Sequence, residues 1–199
     1  MAIEEPKFEI LFSDKQHEIR KYAPLIVAET LVDGDMDDAS SKGFRLIADY
    51  IFGNNQMANS TSSGKIAMTA PVIVEPQSTK IAMTAPVTIE PQLDATSMQT
   101  SKRWLVKFVM PSQYTLASIP KPKNSAVTLR EIPSKYFAVL KFSGFNTSVR
   151  VQTKTLEAQQ WAAQKNLQTL GQPQLSRYDP PWTLPMFRRN EIMIEIAAP

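Results

Sequence analysis

The sequence predicts an α+β fold, and three observations carry that prediction. Strand-like and helix-like segments follow one another as strand, helix, strands, and that order occurs twice. Segment 128–144 (TLREIPSKYFAVLKFSG) echoes segment 18–34 (EIRKYAPLIVAETLVDG): Leu129-Arg130 answers Ile19-Arg20 and Ala138 answers Ala28, all at an offset of 110. The octapeptide KIAMTAPV stands at 65–72 and again at 80–87, continuing as IVEPQ and TIEPQ. Two similar halves, about 7–110 and 125–196, that cannot each bury an apolar face are expected to pack as one domain spanning 1–199.

Each element has its own warrant. Residues 7–12 and 17–32 read as extended, because Ile, Val and aromatic residues dominate with partial alternation. Asp33–Asp38 is a turn cluster in which Asp37 or Asp38 is placed to cap a helix. Phe44, Ile47, Ala48, Ile51 and Phe52 then fall at i, i+3, i+4, i+7 and i+8, one apolar stripe of a helix of about three to four turns. Gly53 stops it, and the polar loop GNNQMANSTSSG follows. Each KIAMTAPV copy leads into a short β-branched strand. Pro71 and Pro86 have no N–H to give a ladder, so each belongs at an edge, a bulge or a strand end. Residues 93–102 read as loop, 104–110 (WLVKFVM) as a strand and 111–125 as a Pro-punctuated connection. Residues 149–167 are helix-like, and EIMIEI at 191–196 is the closing strand.

Composition narrows the function. Of 199 residues, 43% are hydrophobic and 21% charged, which suits a soluble chain with a packed core. A net charge of +3, without any run of five like charges, argues against a nucleic-acid partner despite a pI near 9.1. The absence of cysteine excludes disulfides, Cys–zinc sites, thiolate ligation of haem and a Cys nucleophile. No run of 18 apolar residues is present, so no membrane span is expected. The early acidic residues of MAIEEPKFEILF do not make a signal peptide. The expected location is cytoplasmic or in the plastid stroma.

Chemistry-bearing motifs are few. His17 is the single histidine, without any HxH, HExxH or HxxxH pattern. It reads first as a partly exposed strand residue and second as an axial haem ligand. There is no GxSxG elbow, and the six glycines form no phosphate loop. Arg188-Arg189, before the last strand, would either bind an anion bidentately or serve as a structural ion pair or carbonyl clamp. The turn Asp179-Pro180-Pro181-Trp182 is expected to present an indole that caps the core. Met68 and Met83, at equal places in the two copies, suit core packing or an adaptable wall for a flat macrocycle.

Six segments together resemble the SOUL haem-binding protein family: HEIRKYAPLIVAET, FRLIADYIFGNNQ, KIAMTAPV, WLVKFVMPSQYTLASIPKPKN, REIPSKYFAVLKFSG and YDPPWTLPMFRRNEIMIEI. The resemblance runs from about residue 7 to 196 and is greatest to bacterial, cyanobacterial and plant-type members. It implies a distorted antiparallel β-barrel or sheet built from two pseudo-symmetric halves with one helix each. It further implies non-covalent binding of haem or a metal-free porphyrin, as a carrier or buffer without catalysis, in an apolar groove beside the first helix. Carried onto this chain, the wall would be Phe44, Ile47, Ala48 and Ile51, with Met68 nearby. Where animal members use basic side chains for the propionates, this chain has Ser41, Asp49 and Thr183; Lys42, Arg45 and Lys65 would substitute. His17 replaces the aromatic residue of the opening strand, so no strong axial ligand and no metal site are expected. Two alternatives stand beside this reading. One is an enzyme acting on a tetrapyrrole or other planar molecule, because the fold resembles that of GyrI-like proteins. Its acids would be Glu29, Asp49 or Glu191, and its proton donors Tyr22 or Tyr136. The other is an interaction module that has lost its ligand.

Overall fold

The structure, a computed structural model, describes residues 4–57, 60–77, 101–179 and 182–199. The second KIAMTAPV copy, with Met83 and Pro86, lies outside the described residues. In chain order the elements are β1 (Phe8–Asp14), β2 (His17–Tyr22), β3 (Leu25–Asp33), α1 (Met36–Ile51), β4 (Asn55–Gln56), β5 (Val72–Pro76) and β6 (Arg103–Val109). They continue with β7 (Lys121–Pro122), β8 (Thr128–Ile132), β9 (Lys135–Ser143), α2 (Ser148–Gln164), β10 (Gln174–Arg177), a 3-10 turn (Pro185–Phe187) and β11 (Arg189–Ile196).

The run 17–32 is not one strand. Pro24 lacks an N–H and pushes the residue before it out of regular geometry, so the chain breaks at Ala23-Pro24 into β2 and β3. Pro133 does the same between β8 and β9. Each break sends two successive strands to different partners. β2 pairs with β9, whereas β3 pairs with β6 and β8. The result is one antiparallel sheet of nine strands among the described residues, in the order β1-β2-β9-β11-β10-β5-β6-β3-β8. It curls into a half-barrel, and β4 with β7 makes a separate two-stranded ribbon. β9 (135–143) repeats β3 (25–33) at the offset of 110 read in the sequence. The expected α+β class with two strand–helix–strand halves is therefore the observed one.

Both helices pack on the same face of the sheet, because side chains alternate along each strand. On β6, Trp104, Val106 and Phe108 join the core under the helices, while Leu105, Lys107 and Val109 face the concave side. One apolar cluster unites α1 and α2 through Met36, Trp104, Leu140, Val151 and Ile192. A second lies under α1, and a third, with Ile19, Ala138 and Trp161, lies under α2.

The α1 cap is Asp35, whose side chain accepts from the Asp38 N–H at 2.8 Å. The cap therefore lies upstream of the expected Asp37 or Asp38, which occupy the first turn and face the positive end of the helix dipole. Gly43 in mid-helix permits close approach: a Cβ there would stand 2.6 Å from Val106. His17 stacks on Trp161 of α2, with centroids 4.8 Å apart and planes 15° apart, and its Nε2 is buried without a hydrogen-bond partner.

Two expected outcomes follow from this packing. Gly43→Ala should destabilise by about 1–3 kcal/mol, because Val106 must move against the core; an unchanged denaturation midpoint would show that the helix has slack. Burial lowers the His17 pKa, with Glu157 and Asp14 acting in the opposite direction. The unfolded chain then takes up the proton first, so this contribution is complete above about pH 6.5 and is lost as pH falls. His17→Phe should accordingly lose less thermal stability between pH 7.5 and 5.5 than the parent, as read by paired melting curves.

Candidate functional site

The α1 stripe divides into a buried part and an exposed part. Ile47 and Ile51 are 0% exposed and pack with Val106 and Phe108, and Ala48 is also buried. Phe44, on the margin of the stripe, is 39% exposed and leans its ring on Phe108 at 5.4 Å between centroids. Met68 is 37% exposed on the segment between β4 and β5. Ile47, Ala48 and Ile51 thus stand behind the surface that Phe44 and Met68 present. Lys42, Arg45 and Lys65 are exposed, as are Ser41 and Asp49, and Asp49 accepts from Asn54 Nδ2 at 2.6 Å.

The expectation that Trp182 caps the core is overturned: its indole is 82% exposed. The loop holds itself from within and needs no aromatic anchor. Asp179 accepts from the Arg189 N–H at 2.6 Å, Arg188 Nε donates to the Thr183 carbonyl at 2.7 Å, and the Phe187 N–H donates to Leu184 at 2.9 Å. Leu184, Met186 and Phe187 are exposed along with Trp182. Phe145, before α2, is also exposed and lies under the Arg188 guanidinium at 5.6 Å. β10 ties this region to α1: Arg177 donates to Ser40 Oγ at 3.0 Å and to Asp37 at 3.3 Å. Ser40 precedes Phe44 by one helical turn, so both lie on one side of α1. An aperiodic run, WTLPMF, between prolines and arginines was the sequence signal for this exposed apolar loop, since no strand or helix period could turn it inward.

The Arg188-Arg189 pair takes its structural role. Arg188 clamps a carbonyl; Arg189 pairs with Glu5 and lies 3.6 Å from the Tyr178 ring centroid.

Of the enzyme candidates, Glu191 and Tyr22 meet around Arg20, whereas Glu29, Asp49 and Tyr136 lie apart from them. Glu191 is buried on the concave face, where Arg20 donates to both its oxygens at 2.9 and 3.1 Å and Tyr178 donates to it at 2.7 Å. Arg20 also bonds Glu18 at 2.6 Å and the Tyr22 hydroxyl at 2.9 Å. Burial pushes the pKa of both Tyr22 and Tyr178 upward, so both hydroxyls keep their protons near neutrality. Glu29 is held bidentately by Arg130, Tyr136 packs on the α2 side with the Trp161 cluster, and Asp49 lies on the outer surface of α1. Among the described residues, no three His, Cys, Asp or Glu side chains are gathered to hold a metal.

A family model described as SOUL heme-binding protein matches residues 3–80 and 75–195. The chain belongs to the SOUL haem-binding family. Each matched stretch carries one KIAMTAPV copy. The family binds haem, so a haem-type small molecule is the partner it points to. No curated protein matches the chain. Among solved structures, the C-terminal domain of EcmrR is similar at a TM-score of 0.62 and 12% identity, over 92% of this chain and 98% of that one. A hydrolase from Listeria innocua is similar at a TM-score of 0.56 and 10% identity, over 94% of each chain. At such identities the likeness is one of fold alone. Among the described residues, no helix of this SOUL protein is long and apolar enough to cross a membrane.

The Arg20–Glu191 pair supplies an expected outcome for stability. Arg20→Leu leaves Glu191 buried without its close cation, while Glu18 keeps Lys141, and should cost about 3–5 kcal/mol. Chemical denaturation would measure it; a loss below 1 kcal/mol would show that water reaches Glu191.

Proposed function

We propose that this SOUL protein holds haem or a metal-free porphyrin non-covalently, as a carrier or buffer, on the α1 face flanked by the Trp182–Phe187 loop. The observation that supports this reading is the exposure of Phe44 and Met68 beside α1 and of Trp182, Leu184, Met186 and Phe187 on the loop after β10, a strand that Arg177 ties to α1. Large apolar side chains left in water together mark a binding surface. Ile47, Ala48 and Ile51 stiffen it from behind, and Lys42, Arg45 and Lys65 are exposed cations for two propionates.

A flat macrocycle burying several hundred Å² there gains several kcal/mol at ~25 cal/mol/Å². Ordering costs reduce that gain, and micromolar affinity is the expected scale. His17 is stacked on Trp161 beneath α2, which leaves the site without a histidine ligand and the affinity independent of iron. A diffusible carrier of this kind fits the cytoplasm or the plastid stroma.

The test is a paired Soret and fluorescence-quenching titration with haemin and protoporphyrin IX. Both should bind one-to-one with affinities within about tenfold of each other. Phe44→Asp and Trp182→Asp should each weaken both ligands at least tenfold; Trp182 is 82% exposed, so its change leaves the core intact, whereas Phe44 also leans on Phe108 and its variant is compared at matched folded fraction. His17→Ala should leave the Soret position unchanged. Binding of haemin without protoporphyrin, or a Soret band that moves with His17→Ala, would replace this reading with iron ligation. Binding of neither would favour the interaction module.

A further inference from the structure

We propose a second small-molecule site, on the opposite face of the sheet, that takes a neutral ligand with a flat apolar body and a carboxamide or lactam head. The concave side of the half-barrel encloses a cleft of about 490 Å³, within the size range of small-molecule pockets. Ile73 of β5, Leu105 and Val109 of β6, Phe137 of β9 and Met193 of β11 give it an apolar lining.

The charges around that lining cancel in pairs. Lys107 bonds Glu75, Lys135 bonds Glu195, and Arg130 bonds Glu29 at 2.8 Å. An ionic ligand would therefore have to break an existing pair or sit beside a like charge, and a neutral one would not.

Gln174 identifies the head group. It begins β10, lines the cleft and is only 7% exposed, and its amide opens onto the cleft with no side-chain hydrogen bond to a described residue. An amide edge facing a cleft is available to pair with a ligand. A primary amide offers one acceptor and two donors, and its full complement is another amide edge: one N–H given and one received. β10 sets Gln174 opposite Met193 on one side. On the other side, the Leu175–Val74 pairing brings it beside Glu75, which already holds Lys107. A lactam or carboxamide placed on Gln174 thus meets Lys107 as a further donor and Met193 as apolar support. The Tyr22 and Tyr178 rings also line the cleft, but their hydroxyls are engaged with Arg20 and Glu191. They are walls, and the site is one of binding without reaction. It is independent of the tetrapyrrole surface on α1.

Three naphthalene probes of matched shape test this on the full chain by calorimetry: 2-naphthamide, 2-naphthoate and 2-naphthylmethylammonium. The amide should bind one per chain, at least tenfold tighter than either ion. Gln174→Leu should lower amide affinity at least tenfold while the melting temperature holds or rises and the haemin titration is unchanged. Gln174→Glu should reverse the preference toward the ammonium probe, which keeps the test decisive if the Leu variant misfolds. Equal affinity for the three probes, no amide binding, or full affinity in Gln174→Leu would each overturn the proposal. So would stoichiometric displacement of naphthamide by haemin, because the two ligands would then share one site.

Discussion

Strand exchange between the halves is the constraint on which the rest depends. Each half lacks a strand that the other supplies: β2 completes the sheet at β9, and β8 completes it at β3. Pro24 and Pro133 enforce the exchange, because neither can continue a ladder and each redirects the chain. The equivalent arginines, Arg20 on β2 and Arg130 on β8, then fasten the donated strands through Glu191 and Glu29. A chain tied in this way cannot release one half without exposing the apolar face of the other.

The symmetry of the backbone is not kept by the side chains. Around Arg20 the concave face is filled: Phe8 from β1 lies under the guanidinium at 4.2 Å, and Tyr22, Phe137, Val139 and Met193 pack together. Around Arg130 nothing equivalent to β1 covers the sheet among the described residues, and Arg130 is half exposed. A buried cation surrounded by two carboxylates and a tyrosine acts as a fixed strut, and the same residue type in water remains a rim.

The convex side serves a different purpose. Two helices cover one sheet face, and the loop after β10 is braced by Asp179 and Arg188, with Arg177 of β10 linked to α1. Since the backbone secures that loop, its apolar side chains are free to face outward. Trp182, Leu184, Met186 and Phe187 bury little of their apolar surface there, which is the ground for proposing them as part of a ligand surface.

Much of this was legible in the sequence. The offset of 110 predicted β3 and β9, the period of 3.6 predicted α1, and the segments from HEIRKY to RRNE pointed to the family, because local periodicity and proline chemistry are properties of the chain itself. Other features were not. The cap fell on Asp35, and a stretch such as DGDMDD, with four aspartates, gives no hint of which one that will be. Ile47 and Ile51 are buried and Phe44 is exposed, and a stripe by itself cannot say which of its members meets the sheet and which meets water. Trp182 was expected inside, and Gln174 attracted no attention. Their positions depend on which strands lie side by side, and side-chain chemistry alone does not encode that. The sequence determined the elements, their breaks and the family. Tertiary structure decided which apolar residues stayed outside and which polar ones came to line the cleft, because burial is set by contacts between segments about a hundred residues apart.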